Sequence, residues 1–474
     1  MKQVIGLIDV KKNFTYNVIY QMLSIIIPLV LAPYISRTIG VVGVGKYSYT
    51  YSIVYYFMLF AMLGVNNYGN RSIAMVRDDK AKLSRTFCSI YFLQLIMGLL
   101  SLIVYFLYIF LCNNEYIVIF IIESLFIVSA ILDINWFFFG LEEFKITIIR
   151  NSIIKLLTIV LVLLFVKSPE DLWKYTLIMA CMACLSQLLL WRIVKKRVNF
   201  TKIKMSDILV HVKPNLILFI PVIAVSLYKI MDKIMIGSLS TVMEVGYYEN
   251  AEKMINFPLT FITALGMVML PRMSNLASKG EISTIKKNMS KSIEFVMFLS
   301  FAMCFGMIAI GENLAPIYYG KSFAKTGLLI NYLAITIPFI SFANVIRTQY
   351  LIPRKLDDVY IRSVFFGAII NLIINIFLIP KISSVGACIG TIISEIFVCL
   401  YQAFKVRNEI NIVMQLKKIF PFLVKSLFMF LVILSLNLLC INNIIIILLQ
   451  IVLGIIIYGI LNIQYITKLL NDKN

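Results

Sequence analysis

Apolar residues dominate this chain in long runs, each close to the roughly 20 residues that a helix needs to cross a hydrocarbon core. The runs fall near residues 14–36, 46–68, 87–111, 116–138, 147–166, 172–191 and 214–236. They continue near 246–270, 292–311, 326–346, 361–379, 385–404, 420–440 and 443–464. The pattern predicts an all-α polytopic membrane protein with about 14 transmembrane helices. The first run has the length of a full span and no small-residue cleavage site follows it. It therefore reads as a retained helix and not a removable signal.

Composition points the same way. Hydrophobic residues make up 61% of the 474 and charged residues 14%, with a mean hydropathy of +0.93. Water-soluble domains run at about 45–50% apolar and 25% charged. The formal net charge is +21, which in a soluble protein would suggest nucleic acid. Its distribution gives a different reading. With the N-terminus placed in the cytoplasm, inside segments carry 32 Lys and Arg and outside segments seven. Positive residues collect in cytoplasmic loops, so both termini are expected inside and no nucleic-acid partner is expected.

Residues 38–47, "TIGVVGVGKY", carry Gly40, four residues, then Gly45 and Lys46. This is the spacing of a phosphate-cradling loop, but Tyr47 occupies the position where Ser or Thr would hold magnesium. The segment is also expected to face outward, away from cytosolic ATP, and no strand precedes it. A second copy explains it better. "VGKY" at 44–47 matches "VGYY" at 245–248, each following an Ile-Gly (Ile39-Gly40, Ile236-Gly237) and a Pro-containing span. The offset of about 200 residues equals six spans, an even number, so the copies share one orientation and form a parallel repeat. The segment is a duplicated structural turn, and ATP is not an expected ligand.

Cysteine and histidine add little. The eight Cys are scattered, and Cys181 and Cys184 form a CxxC inside an apolar run with no second cluster, which fits ordinary helix packing. The single histidine, His211, cannot build a His-rich zinc site. No cofactor and no metal are expected.

Several segments carry a resemblance to a known family. They are "GVNNYGNRSIA" (64–74), "DINWFFFGLEEFK" (133–145), "DKIMIG" (232–237), "VGYYENAEKM" (245–254), "LPRMSNL" (270–276) and "VGACIGTIISEI" (385–396). In this order the chain resembles the bacterial polysaccharide-transporter family, oligosaccharide flippases related to multidrug and toxin extruders. The resemblance implies two six-helix lobes around a central cavity, here residues 1–200 and 201–410, with an additional helix pair at 411–474. Lipid II flippases and some capsule flippases also carry such a pair, which could form a lipid-tail groove or simply pack. The implied substrate is an undecaprenyl-diphosphate-linked oligosaccharide repeat unit of a capsule, O-antigen or related polysaccharide. It would be moved across the bacterial cytoplasmic membrane by alternating access, with a polysaccharide polymerase as a further partner.

Sugars and a diphosphate cannot cross hydrocarbon unaided, so such a protein needs a wet, cationic passage. Ionisable residues within spans are the first candidates. Lys229, Asp232 and Lys233 stand at i, i+3 and i+4 on one helical face, followed by Glu249, Glu252 and Lys253 on the eighth span. Lys229, Lys233, Lys253 and Arg37 are expected to attract the diphosphate. Asp232 and Glu249 would hold those cations apart or bind a coupling proton or sodium ion. Inter-helix ion pairs and snorkelling anchors account for the same residues equally well. Arg71 could take phosphate oxygens at the cytoplasmic end of the second span, or serve as a positive-inside anchor. Glu123, Asp133 and Glu395 fit helix packing or cation sites. Gly386 and Gly390 give a small-xxx-small face that permits close helix contact.

With no nucleotide site, the membrane potential is one energy source. Two negative charges leaving an inside-negative cell gain roughly 4–5 kcal/mol at 100 mV, from about 2.3 kcal/mol per charge. Other readings compete: a lipid II flippase, a multidrug or cation antiporter, and a membrane polymerase or ligase. The lysines of the seventh and eighth spans disfavour the antiporter. The short external loops disfavour the enzyme.

Overall fold

The computed structural model describes residues 2–111, 115–439 and 441–471, with side chains from Leu29 onward. Among them every regular element is helical. In chain order these are α1 (Lys2–Met62), α2 (Val65–Val76), α3 (Lys80–Leu111), α4 (Ile117–Ile131), α5 (Asn135–Gly140), α6 (Phe144–Phe165) and α7 (Leu172–Val194). There follow α8 (Met205–Leu239), α9 (Val242–Ser278), α10 (Ile282–Tyr319), α11 (Ala324–Ala334) and α12 (Thr336–Ile346). Then come α13 (Asp357–Ile382), α14 (Ser384–Val406), α15 (Ile412–Ser435), α16 (Asn443–Leu461) and α17 (Ile463–Asn471). The protein is an all-α polytopic membrane protein.

Every predicted span falls on these helices, but the breaks differ from the expectation. Among the described residues, 12 helices are long and apolar enough to cross a membrane, or 13 when the segments Lys321–Ala334 and Thr336–Leu351, bent by 43°, count as one span. The expected first span and most of the second are two helical stretches of α1 that meet at a kink at Gly40 (φ 72°, ψ 178°), and the second is broken again at 63–64, before α2. A positive φ costs glycine nothing and an L side chain much more. One residue therefore replaces the loop expected at 37–45. Counting α1 as two segments would give 14; most of the expected span at 14–36 lies outside the residues with described side chains. The fourth span is likewise split, with residues 132–134 separating α4 from α5.

The chain divides into two compact units, Met1–Ser226 and Leu227–Asn474, with α8 running through the division. Within the first unit, the segments that carry the family resemblance pack on one another. A Cβ on Gly69 of α2 would stand 2.5 Å from the Trp136 ring of α5, and one on Gly140 would stand 2.6 Å from Ile73. The Trp136 indole donates to Gln94 Oε1 (3.0 Å). The Gln94 amide in turn donates to the carbonyls of Ala130 and Asp133 (2.8 Å each), capping the open end of α4. The "DINWFFFG" segment is thus the joint that closes a broken span.

Within the second unit, the Gly386/Gly390 face does what its spacing implies. A Cβ on Gly386 would stand 2.6 Å from the Leu378 backbone of α13, and one on Gly390 would stand 2.3 Å from Asn375 Oδ1. Backbones of α13 and α14 approach closely only because these positions lack side chains. That approach builds the site described next.

Candidate functional site

Three elements of the second unit converge on Asp232. It lies on α8 and is 4% exposed. Its carboxylate accepts from the Tyr248 hydroxyl of α9 (2.6 Å), the Thr391 hydroxyl of α14 (2.7 Å) and the Asn375 amide of α13 (2.6 Å). Asn375 also donates to Asn371 Oδ1 (3.0 Å), one turn earlier on α13. A carboxylate in a dry interior is costly unless donors replace its hydration. Here three do so.

The oxygens of Asp232, Asn371, Asn375 and Thr391 are hard ligands, and Asn375 Oδ1 is buried without a hydrogen-bond partner. One carboxylate among neutral oxygens suits a proton or a small monovalent cation better than a divalent ion, which draws more negative charge. No group of three or more His, Cys, Asp or Glu among the described residues could hold a metal.

The neighbouring residue has a different fate. Successive helix positions point about 100° apart, so Lys233 turns toward α9. There its ammonium meets Glu249 (2.6 Å) and Glu252 (2.8 Å). Lys253 closes the group on Glu249 at 3.0 Å. Two cations and two carboxylates sum to zero, and the side chains of Lys233 and Glu249 are each 15% exposed. Lys253 is more open, at 42%. Lys229, one turn before Lys233, is exposed and lies within electrostatic reach of Glu395 on α14, as does Arg347. The single face expected for Lys229, Asp232 and Lys233 therefore opens onto three neighbourhoods, because positions 232 and 233 straddle it.

The two remaining predicted cations belong to the first unit and are both exposed. Arg37 lines a cavity of about 610 Å³ with Tyr34, Thr38, Lys167 and Pro169. Arg71 lines one of about 370 Å³ with Tyr68, Ser72 and Pro214. His211 lies nearby, its Nδ1 paired with the Tyr68 hydroxyl at 2.7 Å. Sequence reasoning missed Lys167, whose ammonium bonds the Leu163 carbonyl and lies 5.9 Å from the Tyr34 ring centroid. It missed Tyr248, Asn375 and Thr391 as well. The repeated "VGYY" and the "VGACIGT" segment contained two of the three, and nothing local marked them as partners of Asp232.

The sequence profile of the polysaccharide biosynthesis protein family matches residues 10–277, more than half of the chain. The chain belongs to this family. Among the relatives of this polysaccharide biosynthesis protein, one from Shigella dysenteriae is described as an O-antigen transporter. It is 23% identical over 401 residues, covering 83% of this chain and 98% of that protein. A second, from Escherichia coli strain K12 and described in the same words, is 22% identical over 85% of this chain and 98% of its own length. The fold is shared with a solved structure of the lipid II flippase MurJ in an inward closed conformation. The TM-score is 0.78 at 17% identity, over 97% of this chain and 99% of that one.

Proposed function

We propose that the protein is a flippase that carries lipid-linked oligosaccharides across the bacterial cytoplasmic membrane by alternating access, and that its substrates are undecaprenyl-diphosphate-linked repeat units of a surface polysaccharide. The relation to two proteins described as O-antigen transporters, over 83% and 85% of this chain and 98% of each of theirs, carries this reading. The likeness to the lipid II flippase is one of fold, at an identity too low to transfer a substrate.

In this reading each charged group has a task that follows from its surroundings. Arg37, Arg71, Lys229 and the open half of Lys253 attract the diphosphate, since cations held in wet surroundings inside a membrane protein are the natural partners of phosphate oxygens. Lys233 and Glu249, locked together, hold α8 to α9. Asp232 is the ion-coupling residue, binding a proton or sodium ion among Tyr248, Asn375 and Thr391. The polyprenyl tail, which needs an apolar path, fits the groove of about 580 Å³ lined by α9, α10, α15 and α16, with Phe257, Phe298, Met303, Ile451 and Tyr458 on its walls. A polysaccharide polymerase would take the delivered units.

The test is made in cells that lack the protein. Lipid-linked repeat units of the surface polysaccharide should accumulate on the cytoplasmic leaflet. Accumulation of lipid II in their place would favour the peptidoglycan-precursor alternative. Normal amounts of surface glycan would remove the flippase reading.

A further inference from the structure

The first unit buries a carboxyl of its own on α4. Glu123 is the sole ionisable residue of α4 and is 0% exposed. Its Oε1 lies 2.9 Å from the Thr50 hydroxyl of α1. Its Oε2 is buried with no hydrogen-bond partner among the described residues. Thr50 is itself 0% exposed. Its hydroxyl oxygen also lies 2.9 Å from the Lys46 carbonyl and 3.2 Å from the Tyr47 carbonyl of the preceding turn.

Counting hydrogens distinguishes the two charge states. A hydroxyl has one proton to give and two lone pairs to receive. An ionised Glu123 would claim that single proton and would remain a dry carboxylate with one neutral donor. This is a costly arrangement, because charge removed from water needs a counter-charge or several donors. A neutral Glu123 satisfies every partner. Its O–H on Oε1 donates to Thr50 Oγ1, the Thr50 proton goes to the Lys46 carbonyl, and only a carbonyl-type oxygen, Oε2, is left bare.

No cation among the described residues forms an ion pair with Glu123; Lys46 of α1, one turn before Thr50, places its ammonium over the Tyr116 ring at the start of α4, 5.1 Å from the centroid. α1 brings Thr50 and the Tyr51 ring, which lies 5.0 Å from that of Phe126. From α3 comes Tyr105, whose hydroxyl donates to the Phe120 carbonyl at 2.8 Å. From α7 comes Cys184, whose thiol donates to the Leu125 carbonyl at 3.0 Å.

We propose that Glu123 with Thr50 is a proton-binding site of the first unit, occupied in this conformation. When α4 and α1 part and water enters, the carboxyl O–H bond breaks, water takes the proton, and the carboxylate is hydrated in its place. A transport cycle that passes through both arrangements takes up and releases one proton at Glu123. That consequence rests on the flippase reading; the occupancy of the site does not.

The test uses the full-length protein in bacterial phospholipid vesicles, with infrared spectra in H₂O and D₂O. The wild-type minus Glu123→Gln difference should contain the C=O stretch of a neutral carboxylic acid that shifts on deuteration. In Thr50→Val the band should move to higher frequency, as for an acid without its acceptor, and Thr50→Ser should leave it in place. A difference spectrum showing only carboxylate bands overturns the proposal, and so does a band indifferent to Thr50→Val. In translocation assays Glu123→Gln should flatten the pH dependence, and an unchanged pH profile contradicts the coupling. Absence of translocation in every variant would sink the flippase reading while the infrared result still decided the site.

Discussion

The two copies of the repeated "VG-Y" segment differ in backbone and in chemistry: the first follows a one-residue kink at Gly40 within α1, the second a two-residue break, Ser240-Thr241, between α8 and α9. In the first, "VGKYSYT" (44–50) places the Tyr47 ring among aromatic neighbours, 5.7 Å from Tyr51 and 4.9 Å from Tyr175. In the second, "VGYYENA" (245–251) places Tyr248 at the matching position, where its hydroxyl binds Asp232. Ser48 of the first copy corresponds to Glu249 of the second, which joins the ion group with Lys233. Thr50 corresponds to Ala251, so the hydroxyl that meets Glu123 has no counterpart. Each copy buries a carboxyl beside the turn. The second surrounds Asp232 with three donors; the first gives Glu123 one hydroxyl. Side chains at matching positions of the two segments thus differ in which buried charge they meet.

Substitutions in the second unit break this comparison most strongly where charge is stranded. Lys233→Ala removes the cation shared by Glu249 and Glu252 and leaves Lys253 to answer both. Because the group is largely buried, a loss of about 3 kcal/mol is expected, read as a lower unfolding temperature in detergent and lower membrane abundance. Asp232→Ala removes the acceptor shared by three donors; Thr391 and Asn375 fall back on the Ala387 carbonyl and on Asn371, and the Tyr248 hydroxyl on Thr391 Oγ1 at 3.1 Å. The expected cost is about 2 kcal/mol, together with loss of any ion dependence of transport. Asp232→Asn should fold better than Asp232→Ala and still lose the ion dependence. Tyr248→Phe removes one of the three donors to Asp232, together with a 3.1 Å contact to the Thr391 hydroxyl, and should cost about 1 kcal/mol. Equal stability of all these variants would remove the distinction between the copies.

The smallest effect lies outside the spans. Glu409 accepts from the Tyr350 hydroxyl and from Arg354, at 2.6 Å each, tying the segment after α14 to the one before α13. The Tyr350 hydrogen bond, with that of Arg354, holds the Glu409 carboxyl below its usual range. A depressed value means that the clasp contributes stability above the ordinary glutamate range and loses it as pH falls through the lowered folded value. Protection of the amides at residues 352–356, taken relative to their intrinsic exchange at each pH, should therefore fall in acid, and Glu409→Gln should abolish that pH dependence.

How far the chain could be read in advance follows from the range of each interaction. Spans depend on the local count of apolar residues, and the predicted ones fall on helical segments, though 46–68, 116–138 and 326–346 are each broken within. The Gly386/Gly390 contact was legible because its spacing is local. The turn expected at 38–47 is present at Gly40, but its form was not legible, since a run of apolar residues gives no sign of whether a glycine bends a helix or starts a loop. The i, i+3, i+4 spacing grouped Lys229, Asp232 and Lys233, yet their partners come from other helices. Thr391 is 159 residues from Asp232, and Thr50 is 73 from Glu123. No periodicity reports such distances. The charges of α8 and α9 were visible as charges, and their sorting into an ion group and a hydrogen-bonded carboxylate was visible only in the packing.

The central claim is that this protein moves a lipid-linked oligosaccharide between leaflets. Its most direct test is reconstitution of the purified full-length protein in vesicles carrying undecaprenyl-diphosphate-linked repeat units on one leaflet, with appearance of the glycan on the other leaflet followed by a membrane-impermeant glycosidase. The account predicts transfer that depends on the protein and is weakened by Arg71→Ala and Lys229→Ala without loss of folded protein. Transfer no faster than in protein-free vesicles would contradict it.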